Sequence, residues 1–178
     1  YPDLPVLQVR AIASATARLK KEGLDPKPRI MVPLVSVATE LKAMRATIKQ
    51  AIAEVAEAEG VDLSEIPVGT MVELPRAAVT ADEIGAYADF FSFGTNDLTQ
   101  TTFGFSRDDV EGKFIPTYLK AKLLTRNPFE TVDDGVCRLI KTAVTLGREA
   151  NPAIDLGVCG EHGGDPESIQ KFYDLGLD

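Results

Sequence analysis

The run DFFSFGTND (Asp89–Asp97) sets Phe90, Phe91 and Phe93 around a single serine, then stops in Gly94 and three polar residues. So short and apolar a run suits a strand buried on both faces, as in parallel sheets. Three other runs share its design: RIMVPLVS (Arg29–Ser36), VGTMVELP (Val68–Pro75) and DLGVCGEHGG (Asp155–Gly164). Helical patterns separate them. Val37, Leu41, Met44, Ile48, Ile52 and Val55 recur at spacings of three and four until Gly60. A second pattern opens at Pro75 and runs through Ala78, Ala81 and Ile84; a third covers Asp133–Ala150. A fourth starts at Pro166, with Asp165 as its N-cap, and ends near Gly176. Alternation of this kind means an α/β protein with a parallel sheet. A doubly wound sheet and a barrel both fit the pattern. A complete (β/α)8 barrel needs about 250 residues, so four strand–helix units would be half of one.

Between Thr99 and Glu130 the pattern is irregular, with Gly, Pro and charge mixed. That is too long for a plain connection and predicts an active-site loop carrying short helices. No repeat, low-complexity tract or linker interrupts the 178 residues, which read as one domain.

A formal net charge of −8 and scattered Lys and Arg argue against nucleic acid as a partner. The cluster Arg18–Lys21 reads as the solvated end of a helix. No apolar run approaches the length of a membrane span, and the first residues lack the regions of a signal peptide. They also lack an initiator Met. Cys137 and Cys159 give neither a disulfide framework nor a zinc pattern, which fits a reducing intracellular compartment. Cys137 falls in a helical pattern beside Ile140 and Val144 and reads as core.

The strand ends carry the chemistry. Glu73 follows VGTMV, Asp97 follows FFSFGTN and Cys159 follows LGV. In parallel α/β folds the carboxyl ends of strands form the ligand-binding face. Two carboxylates meeting there repel unless a cation lies between them, and hard oxygen donors with open positions suit Mg²⁺. The structural alternative is that Glu73 caps the helix opening at Pro75 and Asp97 caps a turn. In the turn Gly94–Asp97, Gly94 permits close approach, Thr95 and Asn96 offer donors, and Asp97 adds charge. His162, the one histidine, reads as a hydrogen-bonding residue of a Gly-rich loop.

These residues carry a resemblance. GTMVELPRAAVTADEI, FFSFGTNDLTQTTFGFSRDD and GVCGEHGGDP resemble the barrel domain of the phosphoenolpyruvate-utilising enzymes, and MVPLVSVATELK extends the likeness over the whole chain. FGFSRDD and GEHGG are similar to the pyruvate, phosphate dikinase branch in particular. Val72, Leu74 and Val158 stand where isoleucine is expected, a conservative departure.

The resemblance implies a (β/α)8 TIM barrel, present in residues 1–178 as about strands four to seven of eight. It implies interconversion of phosphoenolpyruvate and pyruvate within the dikinase reaction, which turns ATP, pyruvate and phosphate into AMP, phosphoenolpyruvate and diphosphate. Glu73 and Asp97 match the family's Mg²⁺ ligands. Glu73, Gly94, Thr95, Asn96 and Asp97 match its substrate-binding positions, and Cys159 its proton donor to the enolate carbon. A thiol with a pKa near 8.5 stays protonated at neutral pH and can serve so. His162 matches no catalytic position.

The likeness further implies phosphohistidine and nucleotide-binding domains elsewhere in a full-length chain, a homodimer at full length, and a cytoplasmic or plastid setting. Earlier strands carrying phosphoryl-binding arginines would precede Tyr1, and a last strand would begin near Asp178. The 178 residues alone are then expected to be inactive. Phosphoenolpyruvate synthase, another Mg²⁺–enolate lyase or aldolase, and a non-catalytic binding fragment are the rival readings.

Overall fold

The computed structural model describes Tyr1 and residues 3–178. Its frame is one parallel sheet of β1 (Ile30–Val32), β2 (Val68–Val72), β3 (Phe90–Gly94) and β4 (Asp155–Cys159), in the order β1-β2-β3-β4. Each strand lies beside the one before it. Right-handed crossovers then carry every connecting helix to the same face. A doubly wound sheet reverses its order and is covered on both sides; this order does not reverse. Four parallel strands wound in one direction are what half of a barrel contains.

Strand parity shows the two faces. Val68, Val72, Phe91, Phe93 and Leu156 are fully buried and pack with helix residues. Their neighbours Met71, Ser92, Gly157 and Cys159 are only partly buried, and Met31 is exposed. The expected burial on both faces therefore does not hold along the sheet: the second face is only partly buried at Met71, Ser92, Gly157 and Cys159. Along the free edge of β4, the Asp178 N–H donates to the Leu156 carbonyl at 2.8 Å, and its carboxylate accepts from the Leu156 N–H at 2.9 Å.

The helices follow the sequence with two corrections. Helix α1 (Asp3–Lys21) packs on α2 (Ala38–Glu59), burying Val9, Ala13 and Ala17 against Ile48, Ile52 and Val68. Only the basic end of α1 was legible. Gly60, at φ 64°, ends α2 as expected. The single helix expected from Pro75 is instead two, α3 (Pro75–Val79) and α4 (Ala81–Gly85), broken at Thr80. There the backbone leaves the helical region, at φ −124° and ψ 31°, so that Thr80 is at once the C-cap of α3 and the N-cap of α4.

The second correction concerns Gly94–Asp97. Thr95 already begins helix α5 (Thr95–Phe103), so the expected turn is a strand–helix junction. The irregular stretch beyond holds two short helices, α6 (Arg107–Val110) and α7 (Phe114–Lys120). Helix α8 (Asp134–Ala150) then buries Val136, Ile140 and Val144 against Phe91 and Phe93, with Cys137 half-buried beside them. After β4 come a 3-10 turn (Glu161–Gly164) and α9 (Pro166–Leu175), whose N-cap Asp165 accepts from the Ser168 N–H at 2.9 Å.

The amino ends of the strands are fastened by charge. Arg45 of α2 forks onto Asp89 at 2.9 and 3.0 Å, and Asp89 also accepts from the Val68 N–H at 2.7 Å. The opposite ends are left for chemistry.

Candidate functional site

Register brings the three strand ends together. Val72 pairs with Phe93, and Gly94 pairs with Cys159. Glu73 is the next residue after Val72, so Glu73, Gly94 and Cys159 share the open face of three adjacent strands. Gly94 is the hinge of this arrangement. A methyl group there would lie 2.9 Å from Glu73 Cβ and 2.6 Å from Met71 Sδ. Only a bare Cα lets β2 and β3 carry these side chains so close.

Glu73 is buried, at 3% exposure, and does not cap α3; that position falls to Leu74, without a side-chain cap. Its carboxylate accepts from the Leu34 N–H at 2.7 Å. Leu34 is aimed by a left-handed backbone, φ 56°, rare for a non-glycine residue and a cost borne at functional sites. Burial pushes the Glu73 carboxyl above its ordinary range, the Leu34 N–H opposes this, and the Asp97 carboxylate beside it pushes further upward. Asp97 is exposed, in the first turn of α5, and accepts from Gln100 Nε2 at 3.0 Å.

Neither carboxylate forms an ion pair among the described residues. Among those residues no cluster of three or more His, Cys, Asp or Glu could hold a metal. A cation here would have two protein carboxylates and would keep its other positions for water or substrate oxygens. That donor set fits Mg²⁺ and not a closed structural metal.

The junction after β3 is locked to the loop after β4. A Cβ on Gly160, where φ is 112°, would lie 2.7 Å from the Thr95 hydroxyl and 3.1 Å from Asn96 Oδ1. Asn96 Oδ1 accepts from the Glu161 N–H at 3.1 Å, which fixes the amide and turns Nδ2 outward as a free donor among the described residues. Thr95 is sealed, with its hydroxyl 2.8 Å from His162 Nδ1 and 3.4 Å from the Cys159 carbonyl. Its side chain is thus engaged inside the protein, and its N–H opens α5 without an intrahelical partner. His162 is itself fully buried and also bonds the Pro128 carbonyl, at 2.9 Å. It is a cross-brace, as the Gly-rich loop reading held.

Sequence reasoning passed over Leu34, Gln100, Arg107 and Glu161. Arg107 forks onto Glu161 at 2.7 and 2.8 Å and reaches Glu111 at 3.1 Å. Those contacts raise the arginine pKa and lower that of Glu161. They also join FGFSRDD to GEHGG, the two stretches that carry the narrower resemblance.

Residues 1–178 match the family described as PEP-utilising enzyme, PEP-binding domain. The chain belongs to the PEP-utilising enzymes. Within that family it is 52% identical over 179 aligned residues to the chloroplastic pyruvate, phosphate dikinase of Flaveria trinervia, covering 100% of this chain and 19% of the relative. It is 49% identical to pyruvate, phosphate dikinase 2 of Oryza sativa subsp. japonica, covering 99% of this chain and 20% of the relative. To the pyruvate, phosphate dikinase of Clostridium symbiosum it is 47% identical, again over 99% of this chain and 20% of the relative. The chain thus spans about a fifth of the PEP-utilising relatives it matches. No described helix is long and apolar enough to cross a membrane.

Proposed function

We propose that this chain is the phosphoenolpyruvate/pyruvate site of a pyruvate, phosphate dikinase, with Glu73 and Asp97 holding Mg²⁺ and Cys159 handling the carbon-bound proton. One observation carries the reading: a buried glutamate shares the open strand face with a thiol, an aspartate in the first turn of α5 lies beside it, and neither carboxylate is in an ion pair among the described residues. A bound Mg²⁺ supplies Lewis-acid stabilisation of the charge that develops on the enolate oxygen.

The chain's own residues do the rest. Asn96 Nδ2 and the first amides of α5 offer donors to an anionic substrate. When the phosphoryl group leaves phosphoenolpyruvate for a histidine on another domain, the P–O bond breaks and its electrons remain on the enolate. Cys159 then gives its S–H proton to the methylene carbon, making pyruvate and a thiolate that solvent reprotonates; the reverse direction runs the same steps backwards. Phosphoryl transfer needs cations over the transferred oxygens, and Arg107 is committed to Glu161 and Glu111. The phosphoryl-binding cations therefore come from outside these residues, and the 178 residues alone are inactive. The phosphohistidine and nucleotide-binding domains, closure into an eight-stranded barrel and a homodimer belong to the same proposal. So does a cytoplasmic or plastid location.

Cys159→Ala in the whole gene product tests this reading. Pyruvate formation is expected to fall by about 100-fold or more, the scale of a lost general acid. Phosphoryl exchange between nucleotide and histidine should continue. Pyruvate formation at the wild-type rate would overturn the assignment.

A further inference from the structure

Gln100 sits one helical turn beyond Asp97, and a hydrogen bond at that spacing is common on a helix surface. Here the amide is held from both ends. Its Oε1 accepts from the Arg107 N–H at 2.8 Å, past the Gly104 that ends α5, while its Nε2 donates to Asp97 Oδ1 at 3.0 Å. The contact with Arg107 settles which end of the amide is which, since a main-chain N–H can only meet oxygen. Nε2 must then face the carboxylate. Arg107 is in turn fixed by its guanidinium to Glu161, and the Glu161 N–H returns to Asn96. The result is a closed ring of contacts, Asp97–Gln100–Arg107–Glu161–Asn96, that leads from the metal-binding carboxylate to the turn that follows Cys159.

We propose that Gln100 is a positioning residue: its amide, braced by the Arg107 main chain, holds the Asp97 carboxylate so that Oδ2 is presented to the divalent cation. This rests on the metal assignment to Glu73 and Asp97. A ligating carboxylate with one oxygen tied to a donor loses fewer orientations when the ion binds. The donor is neutral, so it orients the carboxylate without cancelling its charge. Gln100→Met keeps the length of the side chain and removes both hydrogen-bonding ends.

The test is Mn²⁺ binding by electron paramagnetic resonance, on the whole gene product without nucleotide. It is paired with the single-turnover conversion of phosphoenolpyruvate to pyruvate without nucleotide, in which the phosphoryl group ends on the histidine and one equivalent of pyruvate forms. Wild type should bind Mn²⁺ and Asp97→Ala should lose it. Gln100→Met should bind about 10- to 100-fold more weakly, the range for partners of metal ligands. Its single-turnover rate should return towards wild type at saturating metal, which a merely structural defect would not permit. Should Gln100→Met fail to fold, Gln100→Asn carries the same expectation, because the shorter amide cannot span Asp97 and Arg107. Wild-type Mn²⁺ affinity in the folded variant, with Asp97→Ala still deficient, overturns the role of Gln100 alone. Undiminished Mn²⁺ binding in Asp97→Ala, or none in wild type, overturns the metal assignment and this inference with it.

Discussion

Replacing His162 with alanine should loosen the site without touching its chemistry. The ring is sealed from solvent and spans two segments far apart in sequence. The Pro128 carbonyl can only accept, so Nε2 carries the hydrogen, and in the neutral ring the Thr95 hydroxyl donates to Nδ1. Alanine leaves the Pro128 carbonyl buried without a donor, which costs about 1–3 kcal/mol. The vacated ring volume adds roughly 1 kcal/mol or more. Thr95 is partly compensated, since the Cys159 carbonyl lies 3.4 Å from its hydroxyl. The total is about 3 kcal/mol, or roughly 100-fold in a local opening equilibrium. Hydrogen exchange followed by mass spectrometry on the whole gene product reads this directly. Amides of residues 127–132 and 160–165 should exchange about 100-fold faster in His162→Ala, and His162→Gln, whose amide can still donate to Pro128, should recover part of the protection. Pyruvate formation should suffer less than in Cys159→Ala. Unchanged exchange, or lost activity with protection intact, would refute the bracing role and return His162 to the chemistry.

Two further outcomes follow from the carboxylates. Glu73→Gln should stabilise the metal-free domain at neutral pH by on the order of 1 kcal/mol and abolish stabilisation by Mn²⁺. The raised carboxyl of Glu73 means its ionised form opposes folding, so wild-type stability falls as pH rises from the ordinary glutamate value through the raised one. Thermal melting across pH, with and without Mn²⁺, checks both effects, and a variant less stable than wild type without metal would count against them. Asp89→Ala should cost about 1–3 kcal/mol, because it leaves the Val68 N–H without its acceptor and Arg45 with only the Val68 and Tyr87 carbonyls. Burial pushes Asp89 up, but the Arg45 hydrogen bonds, the Val68 N–H and the Arg45 and Lys49 charges outweigh it and hold the group below its usual range. That increment is present above about pH 4 and is lost as pH falls through the depressed value. The stability gap between wild type and variant should close only in that acid range, and a gap that closes on alkalinisation would be the wrong sign.

The fold was legible where one periodicity dominated. Apolar runs ending in turn residues marked all four strands, and spacing marked α2 and α8. Sequence could not separate α3 from α4, because the break is a change of backbone angle at one residue, Thr80, that leaves the apolar spacing of Ala78, Ala81 and Ile84 intact. Nor could periodicity choose between doubly wound and singly wound sheets. That choice lies in strand order, which no local pattern encodes.

The site divides along the same line. Glu73, Asp97 and Cys159 could be singled out as candidates because strand ends are marked in sequence and parallel sheets gather them. What tunes them comes from contacts between distant segments. Leu34 reaches Glu73 across 39 positions, and Arg107 reaches Glu161 across 54. Gly94 and Gly160 show how the two levels meet. Gly94 could be read in sequence as permitting close approach and Gly160 only as a turn residue, yet each would drive a Cβ into a neighbouring side chain, Glu73 in one case and Thr95 in the other. Those glycines let β3 lie close against β2 and the turn after Cys159 lie close against the start of α5. The reactive groups can be read from the ends of the strands, but their spacing is set by residues that have no side chain to read.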